Sequence, residues 1–164
     1  MADYCVMTHS QLLLDKFDRG ILKALQRNGR IANSTLATQV NLSESACLRR
    51  VRTLEESGLI EGYVALINQE HAGCPVNVFV NITLERQDQT DLHSFEEAVR
   101  KLPEVMECYL MTGDYDYLLR VVASDTADFE RIHSKVLTRL PGVSRVHSSF
   151  ALRAVQKARE LPIR

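Results

Sequence analysis

STLATQVNLSESACLRRVRTLEESGLIEG, residues 34–62, contains two short segments of helical period separated by a polar break. Leu36, Ala37 and Val40 stand at i, i+1 and i+4 in the first, and Cys47, Leu48, Val51 and Leu54 repeat the period in the second. Each segment therefore presents one apolar stripe to a shared core. The break is Val40-Asn41-Leu42-Ser43. Asparagine tolerates the left-handed backbone of a sharp turn, Leu42 can plug the angle between the helices, and the Ser43 hydroxyl can accept from the free N–H groups that open the second helix. This is the pattern of a helix-turn-helix. Ser45, Arg49 and Arg52 fall at i, i+4 and i+7 on one outward face, with Arg50 alongside and the small Ala46 near the helix start. Guanidinium forks so placed suit guanine edges or phosphates in a major groove. The competing reading is a solvated basic face in which Glu55 or Glu56 pairs with Arg52 across a turn. Turn, cap and stripe together favour a DNA surface of Ser34, Ser43, Ser45, Arg49, Arg50 and Arg52.

Both helices need a third partner, and the preceding sequence supplies one. From Asp15 the pattern is helical, with Phe17, Ile21, Leu22 and Leu25 on one face and Asn28-Gly29 as a stop. Residues 1–13 lack a clear period and are expected as a flexible arm, so the head spans 14–62. After Ser57-Gly58, the alternation from Leu59 to Leu66 reads as extended chain, either a small wing or the strand leading out of the head. Residues 63–75 make the strand and linker, ending in NQEHAGCP, a cluster of turn formers.

Residues 76–164 form a second domain. Val76, Val78, Val80, Ile82 and Leu84 alternate with polar residues as a strand with one buried face. Phe79 breaks the polar side and marks a second contact surface. An amphipathic helix from Asp91 to Leu102, a strand at 105–111, a turn at Gly113-Asp114-Tyr115-Asp116, a strand at 117–123, a helix at 126–140 and a strand at 143–152 complete the order βαββαβ. Each helix closes with Leu-Pro-x-Val, at 102–105 and 140–143, as a split βαβ repeat of ferredoxin-like type would. The fold class is α+β. One face of such a sheet is covered by its helices; the other is open, and a second copy of itself is the simplest cover.

Composition narrows the chemistry. The chain has 164 residues and a net charge of −1, with eight Lys and Arg against seven Asp and Glu up to Gly62 and twelve against fourteen beyond. DNA affinity must then come from local arginines and from several heads acting together. Cys5, Cys47, Cys74 and Cys108 are scattered, which suits a reducing cytosol and signals neither zinc nor disulfides. No stretch is long and apolar enough for a membrane span, and no P-loop, G-x-G-x-x-G, nucleophile elbow or H-E-x-x-H occurs. The expectation is a cytoplasmic, non-enzymatic protein without a cofactor. GDYDY at 113–117 reads as a small-molecule corner: Gly113 lets the backbone expose N–H groups to a carboxylate, and an adjacent Asp carboxylate can hold an ammonium. The alternative is an ordinary polar hairpin turn.

DRGILKALQRNGRIANSTLA, then LSESACLRRVRTLEESGLIEGY, then GDYDYLL resemble the leucine-responsive/asparagine-responsive regulator (Lrp/AsnC) family from about Leu14 to about Val155. Asn41 stands where that family commonly has a glycine, and Glu44 and Ala46 where prolines are frequent. The resemblance implies a transcription regulator that binds double-stranded DNA and an amino-acid-like effector. It places the effector at Gly113, Asp114, Tyr115 and Asp116 between adjacent subunits, and it implies dimers that assemble further, often to octamers, in the bacterial or archaeal cytosol in association with the nucleoid. Two rivals stand beside it: an architectural DNA-organising protein without a physiological ligand, and a metabolic regulatory subunit whose head contacts protein.

Overall fold

The computed structural model describes residues 13–158 and 160–163; the expected arm lies, apart from Leu13, outside the described residues. The chain divides into two compact units, one of residues 1–65 with 156–164 and the other of residues 66–155. The tail, which the sequence groups with the second domain, thus packs with the first.

The first unit holds α1 (Lys16–Arg27), α2 (Asn33–Gln39) and α3 (Glu44–Glu56). Asp15 caps α1 through the N–H groups of Phe17 and Asp18, while the Asp18 carboxylate accepts from the Asp15 N–H, a reciprocal capping box. Ile21, Leu22, Leu36, Ala37, Val40, Cys47 and Leu54 close the core. Leu48 departs from the expected stripe and is 40 % exposed, because it sits one helical step, roughly 100°, round from buried Cys47. No strand forms from Leu59 to Leu66: a single extended segment needs a paired neighbour to become a ladder. Tyr63 instead donates its hydroxyl to Glu55 at 2.9 Å, and its ring closes on Gly29, where an added Cβ would stand 3.1 Å from a ring carbon.

The turn between α2 and α3 has a defined chemistry. Asn41 is the one described non-glycine residue at positive φ, 56°. The N–H groups of Leu42 and Asn41 return to the carbonyls of Ala37 and Thr38 at 2.9 and 3.2 Å, the paired bonds of a Schellman motif with asparagine at its left-handed position. Ser43 then caps α3 by accepting from the Ala46 N–H, and the Asn33 amide spans the turn to the Glu44 carbonyl at 3.0 Å. Replacing Asn41 by Val is expected to destabilise the head by about 1–2 kcal/mol, since a β-branched residue crowds its own carbonyl at positive φ. Asn41→Gly should change little. Urea midpoints of the two variants check the contrast.

The second unit is a four-stranded antiparallel sheet ordered β2-β3-β1-β4, with β1 Val76–Leu84, α4 Gln89–Val99, β2 Val105–Leu110, β3 Tyr117–Ala123, α5 Thr126–Lys135 and β4 Val143–Phe150. Alternate residues of β1 and β3 pack with Phe95 and Val99 of α4 and Phe129 and Ile132 of α5 in one core. Both helices thus cover the same face. The helix expected to run to Leu140 stops at Lys135 and tightens to a short 3-10 turn, Leu137–Arg139. Three residues per turn bring Leu137 and Leu140 onto one side, and both are buried.

On the other face, register aligns Asn77, Phe79 and Asn81 of β1 with Val122, Arg120 and Leu118 of β3, with Ser149 and His147 of β4, and with Glu107 and Tyr109 of β2. Phe79 and Tyr109 are 40 % and 52 % exposed. Arg120 binds Glu107 at 2.7 Å and Asn77 at 3.1 Å across the strands. This face carries aromatic and aliphatic groups around a satisfied polar pair, and among the described residues no helix covers it.

Candidate DNA-binding face and ligand corner

Helix α3 presents two kinds of arginine. Arg49 and Arg52 are exposed and make no ion pair among the described residues. The alternative pairing of Arg52 with Glu55 or Glu56 does not form; Glu55 receives the Tyr63 hydroxyl instead. Ser45 is exposed near the helix start, its hydroxyl 3.3 Å from that of Ser43, and Ser34 is exposed on α2. Exposed guanidinium and hydroxyl groups are the kinds of donor that can reach base edges and phosphate oxygens.

Arg50, grouped by sequence with Arg49 and Arg52, is half-buried and ion-paired to the start of α1. One guanidinium nitrogen lies 2.9 Å from Asp15 and 2.8 Å from Asp18, and the group sits 5.3 Å from the centre of the Phe17 ring. The hydrogen bond to Asp18, chiefly, raises Arg50 above the ordinary guanidinium value. The two carboxylates that cap α1 therefore also fix the back of α3. The signal was available only as an acidic pair opening the first helix, and spacing alone does not join residues 32 positions apart.

Asp15 titrates below the usual carboxylate value, first because it accepts the Asp18 N–H, then, against a partial opposition from burial, because it accepts the Phe17 N–H and faces Arg50. Its folded pKa lies below its unfolded one, so its stabilisation is present above the ordinary value near 4 and is lost as pH falls through the depressed folded value. The urea midpoint of the parent protein should exceed that of Asp15→Asn at neutral pH and converge on it in acid. A pH-independent difference would contradict this linkage.

The loop between β2 and β3 contains the other candidate group. Gly113 adopts φ 125° and is exposed, a conformation that any side chain would strain. Asp114 is exposed and Tyr115 half-buried. Asp116 is 8 % exposed, and both carboxylate oxygens are occupied: one accepts the Leu84 N–H at 2.7 Å and the other the Gln87 amide at 2.7 Å. Its own N–H and C=O bond Ile82 and Met111. Asp116 thus pins the loop to the end of β1 beside the register shift at Thr83/Leu84. Each Asp116 oxygen has one protein donor, and Asp114 carries the loop's exposed carboxylate. A surface hollow of about 790 Å3 lies in the head along Lys16, Phe17, Lys23, Arg27 and Asn41.

The described thiols form no disulfide. Cys47 is buried in the head, and Cys108 on β2 is pushed up to about 11, by burial first and by Glu96 second. Such a group is protonated at neutral pH and a poor nucleophile. Among the described residues no three His, Cys, Asp or Glu stand together as a metal-binding group, and no helix is long and apolar enough to cross a membrane.

A capped helix-turn-helix with free arginines on its second helix, followed by a split βαβ sheet with a glycine-cornered loop, defines a DNA-binding protein with a separate ligand-binding module. Residues 14–61 match the winged helix-turn-helix DNA-binding model, and residues 77–161 match the Lrp/AsnC ligand binding domain. The chain is 41 % identical over 151 residues to the leucine-responsive regulatory protein of Escherichia coli, covering 92 % of each. It is 53 % identical over 121 residues to an HTH-type transcriptional regulator of Sinorhizobium fredii, covering 74 % of this chain and 95 % of that protein. Among solved structures, a transcriptional regulator of Neisseria meningitidis in complex with L-Met superposes with a TM-score of 0.87 at 37 % identity, covering 91 % of this chain and 96 % of that one. AsnC of Escherichia coli superposes at 0.82 and 26 % identity, covering 89 % and 97 %. The chain belongs to the Lrp/AsnC family: it is a ligand-responsive transcription regulator and not an enzyme.

Proposed function

We propose that this regulator reads DNA through Ser34, Ser43, Ser45, Arg49 and Arg52, and senses an α-amino acid at the loop of Gly113, Asp114 and Tyr115, which Asp116 holds in place. The observation that carries the reading is the division of labour within each cluster: Arg49 and Arg52 are exposed where Arg50 is tied down, and Asp114 is exposed where Asp116 is buried. Exposed loop N–H groups suit the ligand's carboxylate and Asp114 its ammonium. The relative solved with L-Met supports an amino acid as the class of ligand. Calorimetry with the common amino acids tests this: at least one should bind the parent protein and bind Asp114→Ala far more weakly. Absence of any amino-acid binding would favour the architectural reading.

Assembly belongs to the same proposal. The uncovered sheet face, with Phe79 and Tyr109 around Arg120 and Glu107, is where a second copy would pack to form the dimer, and dimers would assemble further toward an octamer in the cytosol. Each nearly neutral head gains effective concentration from its neighbours. A Phe79→Glu change should shift the protein toward monomer in light scattering and lower its apparent DNA affinity, because it buries an unpaired charge at that contact. Unchanged particle size would place the dimer contact elsewhere.

A further inference from the structure

The chain leaves the second unit after Val155, yet its last residues fold onto α1 of the head. The Gln26 side-chain amide makes a reciprocal pair with the backbone of Leu161, accepting its N–H at 2.5 Å and donating to its carbonyl at 3.3 Å. The Arg27 Nε reaches both oxygens of Glu160, at 3.1 and 3.2 Å. Ile163 packs against the core of the head. A side chain satisfying both polar groups of one backbone residue is a specific register, and the adjacent ion pair and apolar anchor fix the segment on either side of it.

Two independent facts give this contact a meaning beyond tail packing. By sequence, the match to the ligand binding domain runs to residue 161, while by packing residues 156–164 belong with the head. The same stretch is therefore the end of one module and a part of the other. Connectivity gives the second fact. The chain after Tyr63 of the head leads into β1, and the chain after β4 leads to Glu160 on α1, so a seated tail gives the head a second covalent connection to the sheet. When the tail is seated, two stretches of chain limit how far the head can travel; when it is released, only one does.

We propose that Gln26, Arg27 and the segment Glu160–Ile163 are a positioning clamp for DNA binding, fastening the head by a second tether to the last strand of the ligand-binding unit. Arg27 and Glu160 are both substantially exposed, so the clamp is held at the surface and is readily reversible. Its seating narrows the spread of head positions and raises the effective concentration of one head once another is bound. The proposal rests on DNA binding by the head but not on the identity of the amino acid or its site.

The test uses full-length Arg27→Glu, Glu160→Arg and the double reversal, with a chain ending at Ala154 as a fourth variant. Hydrogen exchange at the Leu161 N–H reports seating without DNA or ligand: it should be protected in the parent protein, lose protection in each single reversal and regain it in the double. Mobility shifts on the protein's own promoter DNA report the consequence. Glu160→Arg adds positive charge, so electrostatics alone would tighten DNA binding; loss of the clamp predicts a weakening of about threefold to tenfold, with recovery in the double reversal. The shortened chain should retain its helical circular dichroism and bind DNA like the single reversals. Tighter binding by Glu160→Arg, or a Leu161 amide equally protected in all full-length variants, overturns the clamp. Loss of all DNA binding in the parent protein would instead overturn the reading of the head.

Discussion

Changing both Arg49 and Arg52 to alanine is expected to weaken specific DNA binding by about 2–6 kcal/mol, about 1–3 for each arginine that holds a base edge or a phosphate. Stability should move by no more than about 0.5 kcal/mol, because both side chains are exposed and neither holds another group of the chain. The salt dependence of binding separates the two roles: taking away an arginine that neutralises a phosphate reduces the slope by about one. Arg50→Ala serves as the internal contrast. It leaves the Asp15 and Asp18 carboxylates facing each other without their cation, so it should lower the thermal midpoint and affect DNA only through a loosened α3. Equal DNA affinity in the Arg49/Arg52 variant would remove that face of α3 from the interface.

The second large effect separates Asp114 from Asp116. Asp116→Ala deletes a buried carboxylate and leaves the Leu84 N–H and the Gln87 amide without their acceptor, at a cost of about 2–4 kcal/mol to the second unit. Asp114→Ala removes an exposed side chain and should leave stability unchanged. It should nevertheless abolish the response to amino acids, since it takes away the ammonium's counter-charge while Gly113 and the loop stay in place. Calorimetric ligand titration and urea melts of both variants check the pair. An Asp114 variant with the parent's ligand affinity would move the sensor away from this loop.

The sequence made the architecture legible because periodicity and punctuation agree. The stripes of residues 36–54 become α2 and α3, the asparagine chosen for left-handed backbone takes φ 56°, and the repeated Leu-Pro-x-Val closes both halves of the split βαβ unit. What stayed hidden depends on contacts that spacing does not encode. Arg49 and Arg50 are neighbours in sequence, yet only Arg50 faces the acidic cap of α1. Alternate residues of a turn point differently, but which of Asp114 and Asp116 turns inward is set by β1, some thirty residues earlier, where Leu84 offers its N–H. The return of the tail to Gln26 is hidden for the same reason: Leu161 lies 135 residues beyond it in the chain.

A ligand captured by the second unit is expected to change how the head binds DNA. Linkage requires that a ligand altering DNA affinity bind the free and DNA-bound states with different affinities. The most direct measurement is a mobility-shift titration of the full chain on its own promoter DNA, at one fixed salt concentration, with and without the amino acid identified by calorimetry, run in parallel with Asp114→Ala. The predicted result is a shift of about fivefold or more in apparent DNA affinity for the parent protein, none for Asp114→Ala, and the same effector-free affinity for both. Identical titration curves for the parent protein with and without a bound amino acid would contradict the account.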